Sequence, residues 1–202
     1  MSRFLLGLAA CSLIAAEPSL YFSKSFPGSV PAFVAITVEK NGACTYQEEV
    51  DDANPLRFQM TEQEAAEMFS LADRLDRFKR PLESPLKVAK MGMKTFRFVD
   101  GTKKDEVQFN FSEDLDARAL TDWFEKISET GQLFVNVERS VKYDKLGVNK
   151  AILLLEAAMD RKRVVGLQAF LPLLDRVVKN ESYINMARAR AASLAEVIRA
   201  AK

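Results

Sequence analysis

Histidine is absent from the 202 residues of this chain. Imidazole is the usual proton carrier of serine and cysteine hydrolases and a common ligand of zinc. The sequence therefore excludes Ser-His-Asp and Cys-His catalysis and the zinc sites that depend on histidine. Catalysis by a pair of carboxylates, as in glycoside hydrolysis, remains chemically open.

Cysteine is nearly absent as well, since the chain holds only Cys11 and Cys44. If the N-terminal segment is removed, Cys44 stands alone and an intramolecular disulfide is impossible. Cys44 follows Ala43 in a strand-like stretch, where we predict a small, partly buried apolar residue. A lone cysteine in a secreted chain can also pair between molecules or remain a free thiol.

An excess of charge of one sign is also missing, because 29 basic residues stand against 28 acidic ones. Such a balance gives no general attraction to nucleic acid or to anionic lipid. The stretch from Lys87 to Arg97 does interleave basic residues with phenylalanines, as sheets that bind nucleic acid do. The rings alternate with Arg97, which predicts that they enter the core while the basic side chains face water. We therefore expect no nucleic-acid partner.

Motifs that would identify an enzyme are incomplete. Ser84-Pro85-Leu86-Lys87 matches the S-x-x-K of penicillin-interacting enzymes, but the S-D-N and K-T-G elements are missing. The acidic run 48–52 has neither the spacing nor the glycine of an EF-hand loop. The acids, among them Glu125 and Glu129, lie mostly at surface helical spacing beside basic residues. We assign no catalytic residue, no metal ligand and no cofactor.

The N-terminal residues have the order of regions typical of a signal peptide. A basic start at Arg3 precedes an apolar run through Ile14, and Ala15-Ala16 then supplies small residues. We predict that residues 1–16 are a signal peptide and that the protein is secreted or periplasmic. Alternatively, Leu8-Ala9-Ala10-Cys11 fits the pattern of a lipoprotein anchored through Cys11. No later segment is long and apolar enough to cross a membrane, a span that takes about 20 residues.

Composition changes near Ser112 and predicts two parts, with β-branched and aromatic residues in 17–112 and helix-forming residues in 113–202. The fold class is α+β: an antiparallel sheet of about five strands packs on a helix, and an all-helical C-terminal portion follows. Alternating apolar residues predict strands at 33–40, 44–50, 56–60, 94–99 and 106–111, and either a strand or an ordered arm at 20–26. Asn41-Gly42 and Asp100-Gly101 predict hairpin turns.

Helix signals are clear after each β-rich stretch. Thr61 and Glu64 form a capping box that predicts a helix through the sixties and seventies. Ser112 is predicted to cap the next helix, whose apolar face includes Leu115, Ala119, Trp123 and Ile127. That helix either continues to about Tyr143 or ends at Gly131. Further helices are predicted at about 147–161, at 167–179 and from about residue 182.

Two stretches resemble known groups of proteins. The apolar pattern of 170–178, followed by Ala187-Arg188 and Ala191-Ala192, resembles one HEAT-type helical repeat. The resemblance covers about 35 residues and implies two packed helices, because a solenoid needs at least about three units. The stretch from Tyr21 to Gly28 and on through the two hairpins resembles uncharacterised secreted bacterial proteins, which implies export and no activity.

We therefore predict an exported, non-catalytic binding or protein-interaction module whose partner is an extracytoplasmic protein. Its predicted contact surfaces are the helical tail and the segment 21–31, where Tyr21, Phe22 and Phe26 would form an aromatic anchor if exposed. One alternative is a cell-envelope hydrolase using carboxylate or Ser-Lys chemistry. Another is a structural assembly protein, which an exposed apolar stripe along 147–200 would favour.

Overall fold

The computed structural model describes residues 17–201, so the predicted signal peptide and Cys11 lie outside the described residues. The α+β class is confirmed, with six strands where about five were predicted. The strands are β1 (Ser19–Ser25), β2 (Phe33–Glu39), β3 (Ala43–Gln47), β4 (Leu56–Gln59), β5 (Met93–Asp100) and β6 (Lys103–Phe109). The helices are α1 (Glu62–Arg74), α2 (Leu115–Tyr143), α3 (Val148–Asp160), α4 (Leu171–Lys179) and α5 (Asn185–Ala200).

The strands form one antiparallel sheet in the order β4-β3-β2-β1-β5-β6. The segment predicted as a strand or an arm is β1, which pairs with a strand on each side. Its alternate residues Leu20 and Phe22 are buried, and this period of two is what a central strand with one covered face requires. The hairpin at Asn41-Gly42 is confirmed, and Gly42 has a φ of +86° that glycine adopts readily.

Helix α1 begins at the predicted capping box. The Thr61 hydroxyl accepts from the Glu64 amide at 3.2 Å, and the Glu64 carboxylate accepts from the Thr61 amide at 2.8 Å. The predicted stripe is buried against the sheet and includes Ala65, Met68 and Phe69. Local amide and carboxylate chemistry therefore determines where this helix starts, and side-chain burial determines which face it turns inward.

Helix α2 is capped by Asp114, so the prediction of Ser112 as its cap was wrong. The Asp114 carboxylate accepts from the amides of Asp116 and Ala117 at 2.9 and 3.1 Å, while the Ser112 hydroxyl accepts from the Asp114 amide. A carboxylate satisfies two free amides and also complements the positive end of the helix. The hydroxyl of Ser112 serves the turn that leads into the helix.

The buried face of α2 also differs from the predicted one, since Leu115 is 76% exposed and Ala119 is exposed. An α-helix has 3.6 residues per turn, so residues spaced four apart drift around its surface. Alternating steps of three and four stay on one face. The buried residues follow that pattern and are Ala117, Leu120, Phe124, Ile127, Thr130, Gly131, Val137, Ser140 and Val141.

Gly131 lies inside α2 and does not end it. A Cβ atom at this position would lie 2.5 Å from Cδ1 of the Tyr46 ring, so only glycine allows strand β3 to come this close. The cost of a glycine inside a helix, about 0.5–1 kcal/mol, is offset by this packing. The glycine therefore marks where the sheet rests on the middle of the helix.

Two hydrophobic cores result, and α2 contributes to both. The first contains the inner face of the sheet, α1 and the N-terminal half of α2 as far as Ile127. The second contains the C-terminal half of α2 from Val137, together with α3, α4 and α5. The cores thus meet near the middle of α2, well beyond residue 112. Cys44 lies in the first core, 2% exposed, and its burial raises the thiol pKa.

Candidate functional site

The three aromatic residues of the segment 21–31 do not form one surface. Phe22 is 2% exposed and stacks on Phe124 with 4.7 Å between ring centroids, so the prediction that it contacts a partner is corrected. Tyr21 points to the opposite face of the sheet, where the Arg97 guanidinium lies 4.3 Å from its ring centroid. Phe26 is 37% exposed in the loop after β1. The alternation of a strand separates neighbouring side chains in this way.

Ser84 and Lys87 are not paired, so the geometry that Ser-Lys chemistry needs is missing here. The Ser84 hydroxyl donates to the Glu113 carboxylate at 2.8 Å and accepts from the Leu86 amide at 3.2 Å. Lys87 is exposed. The serine therefore holds the loop against the start of α2.

The candidate acids serve structural contacts. Glu48 accepts from the Tyr46 hydroxyl at 2.7 Å, and Asp52 accepts from the Asn54 amide within its turn. Glu129 accepts from Arg163 at 3.0 Å, whereas Glu125 is exposed and lies 3.9 Å from Lys24. Between residues 17 and 201, the structure holds no group of three or more side chains placed to bind a metal ion.

The basic residues from Lys87 to Arg97 are dispersed. Arg97 lies on the outer face of β5 and binds Glu106 at 2.6 Å, in agreement with the prediction that it faces away from the core. Lys94 contradicts the prediction, because it is 7% exposed and lies on the same face as Phe96 and Phe98. Residues 94, 96 and 98 alternate along the strand, so their spacing in the sequence already indicated that all three side chains lie on one face.

A groove between α2 and α3 is one of the cavities of the helical part. Helix α2 ends at Tyr143, and the carboxylate of Asp144 accepts from the Gly147 amide at 3.0 Å. A Cβ atom at Gly147 would collide with that carboxylate, so glycine permits the tight turn into α3. The turn leaves Lys145 and Leu146 at its tip, in solvent.

The groove has a volume of about 420 Å³. We define the α2–α3 groove as the surface formed by Arg139, Tyr143, Lys150 and Leu154. Tyr143 is 83% exposed, Leu146 at the turn is 87% exposed and Leu154 is 45% exposed. Large apolar side chains this exposed around one groove and its adjoining turn are typical of sites that bind another molecule.

The charge around the α2–α3 groove is positive. Arg139, Lys145 and Lys150 form no ion pair with any residue in the described range 17–201. Asp144 is engaged in the turn, and Glu138 beside the groove binds Lys142 at 2.9 Å. The three basic side chains are therefore available to an acidic ligand. Sequence reasoning missed this site, because periodicity alone does not show which apolar residues remain uncovered.

The remaining helices form a packed support for this groove. Helices α4 and α5, the stretch that resembles a HEAT repeat, bury Leu174, Val177 and Ala191 in the second core. Pro172 lies in the first turn of α4, where its missing amide leaves no helical hydrogen bond unmade. None of the helices within 17–201 combines the length and the hydrophobicity that a membrane span requires.

Comparison with known proteins adds no relative, since no protein-family model and no curated protein matches this chain.

Proposed function

We propose that this protein is an exported, non-catalytic interaction module that binds an acidic amphipathic segment of an extracytoplasmic protein in the α2–α3 groove. The observation that carries this proposal is the exposure of Tyr143 in the groove and of Leu146 in the adjacent turn, each more than four-fifths accessible. Beside them stand three basic side chains that form no ion pair within residues 17–201.

The chemistry of the groove favours a protein ligand of this kind. Tyrosine and arginine are the residue types that most often supply binding energy at protein interfaces, and Tyr143 and Arg139 stand one helical turn apart. A groove between two helices accommodates an amphipathic helix, whose apolar side chains at positions i, i+3, i+4 and i+7 fill it. Acidic side chains flanking that stripe would complement Arg139, Lys145 and Lys150 and speed association.

The electrostatics of the groove also favour a foreign partner over a second copy of the chain. A two-fold dimer through this surface would place the same patch on both sides. Arg139, Lys145 and Lys150 of one copy would then face the same cations of the other, an arrangement that like-charge repulsion disfavours. Assembly through the C-terminal helices is therefore the less favoured alternative.

Binding is tested with two synthetic peptides whose leucines lie at i, i+3, i+4 and i+7, one flanked by glutamates and its counterpart flanked by lysines. We expect the acidic peptide to bind in titration calorimetry, with an affinity that falls as salt rises. A Tyr143→Ala/Leu146→Ala variant is expected to bind at least about tenfold more weakly. Leu115→Ala, which removes another highly exposed leucine, at the other end of α2, is the matched control.

The proposal fails if both peptides bind equally or if the double variant binds the acidic peptide as the parent does. In-cell crosslinking then applies the same variants to natural partners. A genuine partner is captured by the parent and by Leu115→Ala but lost with Tyr143→Ala/Leu146→Ala. A dimer in light scattering that the double variant abolishes would instead favour assembly.

Export is the part of the proposal that depends on the N-terminal sequence. The basic, apolar and small-residue order of residues 1–16 supports it. Mass spectrometry of the N-terminus from cell fractions tests it, with a first residue of Glu17 expected in the extracytoplasmic fraction. A diacylglyceryl group on an N-terminal Cys11 would replace simple secretion by lipid anchoring. An intact Met1 in the cytoplasmic fraction would overturn export.

A further inference from the structure

A second candidate site, formed by different residues from the α2–α3 groove, surrounds Lys94. This lysine lies near the start of β5 with its side chain on the inner face of the sheet, and it is 7% exposed. Its cross-strand neighbours are Phe109 on β6 and Lys24 on β1. A lysine this buried is uncommon unless a charged partner accompanies it.

The ammonium of Lys94 has no such partner among residues 17–201. Its Nζ donates to the carbonyl of Asn110 at 2.8 Å and to that of Gly92 at 3.5 Å. None of the described carboxylates lies within 4.0 Å of Lys94 Nζ. Burial, together with the charge of Lys24, lowers the Lys94 pKa. Two like charges directly opposite each other on neighbouring strands destabilise the fold, so the arrangement has a cost that an anion would offset.

A pocket of about 190 Å³ opens beside this pair, between the end of β1, the start of β5 and the N-terminal half of α2. Lys24, Lys94 and Arg118 line it with positive charge, and Ser112 and Thr121 add hydroxyl groups.

The acids of the pocket, Asp122 and Glu125, compensate this positive charge only in part. Asp122 is bound by Arg163 at 2.6 Å and by Lys126 at 3.2 Å. Glu125 reaches only Lys24, at 3.9 Å. Arg118 makes no ion pair with any residue in 17–201. A negative group entering the pocket would therefore meet cations that no protein carboxylate already holds closely.

We propose that this pocket, the Lys24–Lys94 site, binds one small oxyanion group, either a carboxylate or a phosphate. Lys94 holds the anion from the floor of the pocket, and Lys24 and Arg118 hold it from the sides. Pockets for whole drug-sized ligands measure roughly 300–1,000 Å³, so a pocket this small takes a single anionic group. The site stands on different residues from the α2–α3 groove and is independent of the proposed function.

Thermal unfolding tests the site with two probes, sodium phosphate and sodium acetate, each titrated at constant ionic strength against sodium chloride. A ligand that binds only the folded state raises the Tm with its concentration. We expect one or both probes to raise the Tm of the parent and to leave that of Lys94→Met unchanged. Lys103→Met, an exposed lysine of β6, is the matched control and keeps the parent's response.

The two probes distinguish the sources of the anion. A response to phosphate alone assigns the site to phosphate groups, one to acetate alone assigns it to carboxylates, and a response to both assigns it to either oxyanion. The proposal is overturned if neither probe acts beyond sodium chloride, or if Lys94→Met responds as the parent does. Lys94→Met is expected to fold, because a methionine of similar length replaces a buried charge by an apolar group.

A second readout follows the ammonium directly by ¹³C NMR of the lysine Cε atoms. In chloride we expect the Lys94 pKa to lie below the ordinary lysine value, and the bound anion to raise it because a negative neighbour favours the charged amine. The charged groups around Lys94 are Lys24 on β1, Glu83 in the preceding loop, and Arg118, Asp122 and Glu125 on α2. Lys24→Met is the second variant, and it is expected to raise the Lys94 pKa in chloride and to weaken the response to the anion. An unchanged Lys94 pKa on anion addition would count against the site.

Discussion

The two hydrophobic cores are built from different side chains although they share one helix. The first core is filled with aromatic rings, and Phe96 lies at its centre with ring centroids of four other phenylalanines within 6 Å. The second core is mainly aliphatic, and four alanines, Ala151, Ala187, Ala191 and Ala195, are among its members. Phe170 and Tyr183 are its buried aromatic residues.

This difference reflects what each core has to fill. A helix resting on a broad sheet leaves a wide layer, and large rings fill it with tilted and edge-on contacts. Helices that pack on helices approach to about 8–10 Å, a distance that depends on the side chains at the contact, so alanine brings them close. Along α2 the buried residues change accordingly, from Phe124 and Ile127 beside the sheet to Val137 and Val141 among the helices.

The largest expected effect is that of Phe96→Ala. We expect it to lower the free energy of unfolding by about 4 kcal/mol, because it removes a ring that contacts four others and leaves a cavity. Leu174→Ala, in the second core, is the matched variant and is expected to cost about 3 kcal/mol. Urea unfolding, followed by circular dichroism and by the fluorescence of Trp123, measures both.

The same experiment asks whether the cores unfold together. Trp123, the one tryptophan of the chain, packs against the first core, whereas circular dichroism follows all helices. Because α2 belongs to both cores, we expect the two signals to coincide in the parent and in both variants. A circular dichroism transition that precedes the fluorescence transition in Leu174→Ala would show that the cores are independent.

Much of the first core was predictable from local patterns. Alternation placed Phe96 and Phe98 inward and Arg97 outward, and the capping box located the start of α1. Whether α2 ends at Gly131 or continues past it could not be predicted, because the answer depends on the contact of Gly131 with Tyr46, which is distant in the sequence. Lys94 stands two residues before Phe96, and this spacing predicts that both side chains lie on the inner face of the strand. The general preference of lysine for solvent predicts the opposite. The α2–α3 groove follows from tertiary packing, which leaves Tyr143 and Leu154 uncovered, and hydrophobic periodicity does not show this.

A smaller effect tests the close packing of the second core. Ala191 is fully buried on α5, whereas Ala189 on the same helix is exposed. We expect Ala191→Leu to destabilise the protein by about 2 kcal/mol, because added methylene groups must push the helices apart. Ala189→Leu adds the same atoms in solvent and is expected to stay within about 0.5 kcal/mol of the parent. Equal Tm values for Ala191→Leu and Ala189→Leu would show that the helices of the second core are not closely packed at Ala191.

The smallest expected effect concerns the start of α2, which joins the cores. The hydrogen bond from Arg80 lowers the pKa of Asp114 below its ordinary 3.8, aided by the amides of Ala117 and Asp116. A lowered carboxyl pKa contributes stability above the ordinary value, and this contribution is lost as the pH falls below it. Asparagine caps a helix about as well as aspartate, so Asp114→Asn removes mainly the charge; we expect it to cost about 1 kcal/mol at neutral pH and progressively less in acid.

Urea unfolding at a series of pH values measures this dependence. Asp51→Asn, in an exposed turn, is the control and is expected to change the stability by less than about 0.5 kcal/mol at neutral pH. A cost of Asp114→Asn that stays constant from neutral to acid pH would show that its charge is not responsible.

The buried thiol of Cys44 can report when the sheet around it opens. From Glu17 onward Cys44 is the single cysteine of the chain, and it lies on the inner face of β3, pressed between β2 and β4. A water-soluble thiol reagent can reach its Sγ only when that part of the sheet opens. The rate of labelling under native conditions therefore counts opening events, and its dependence on urea separates small local openings from complete unfolding.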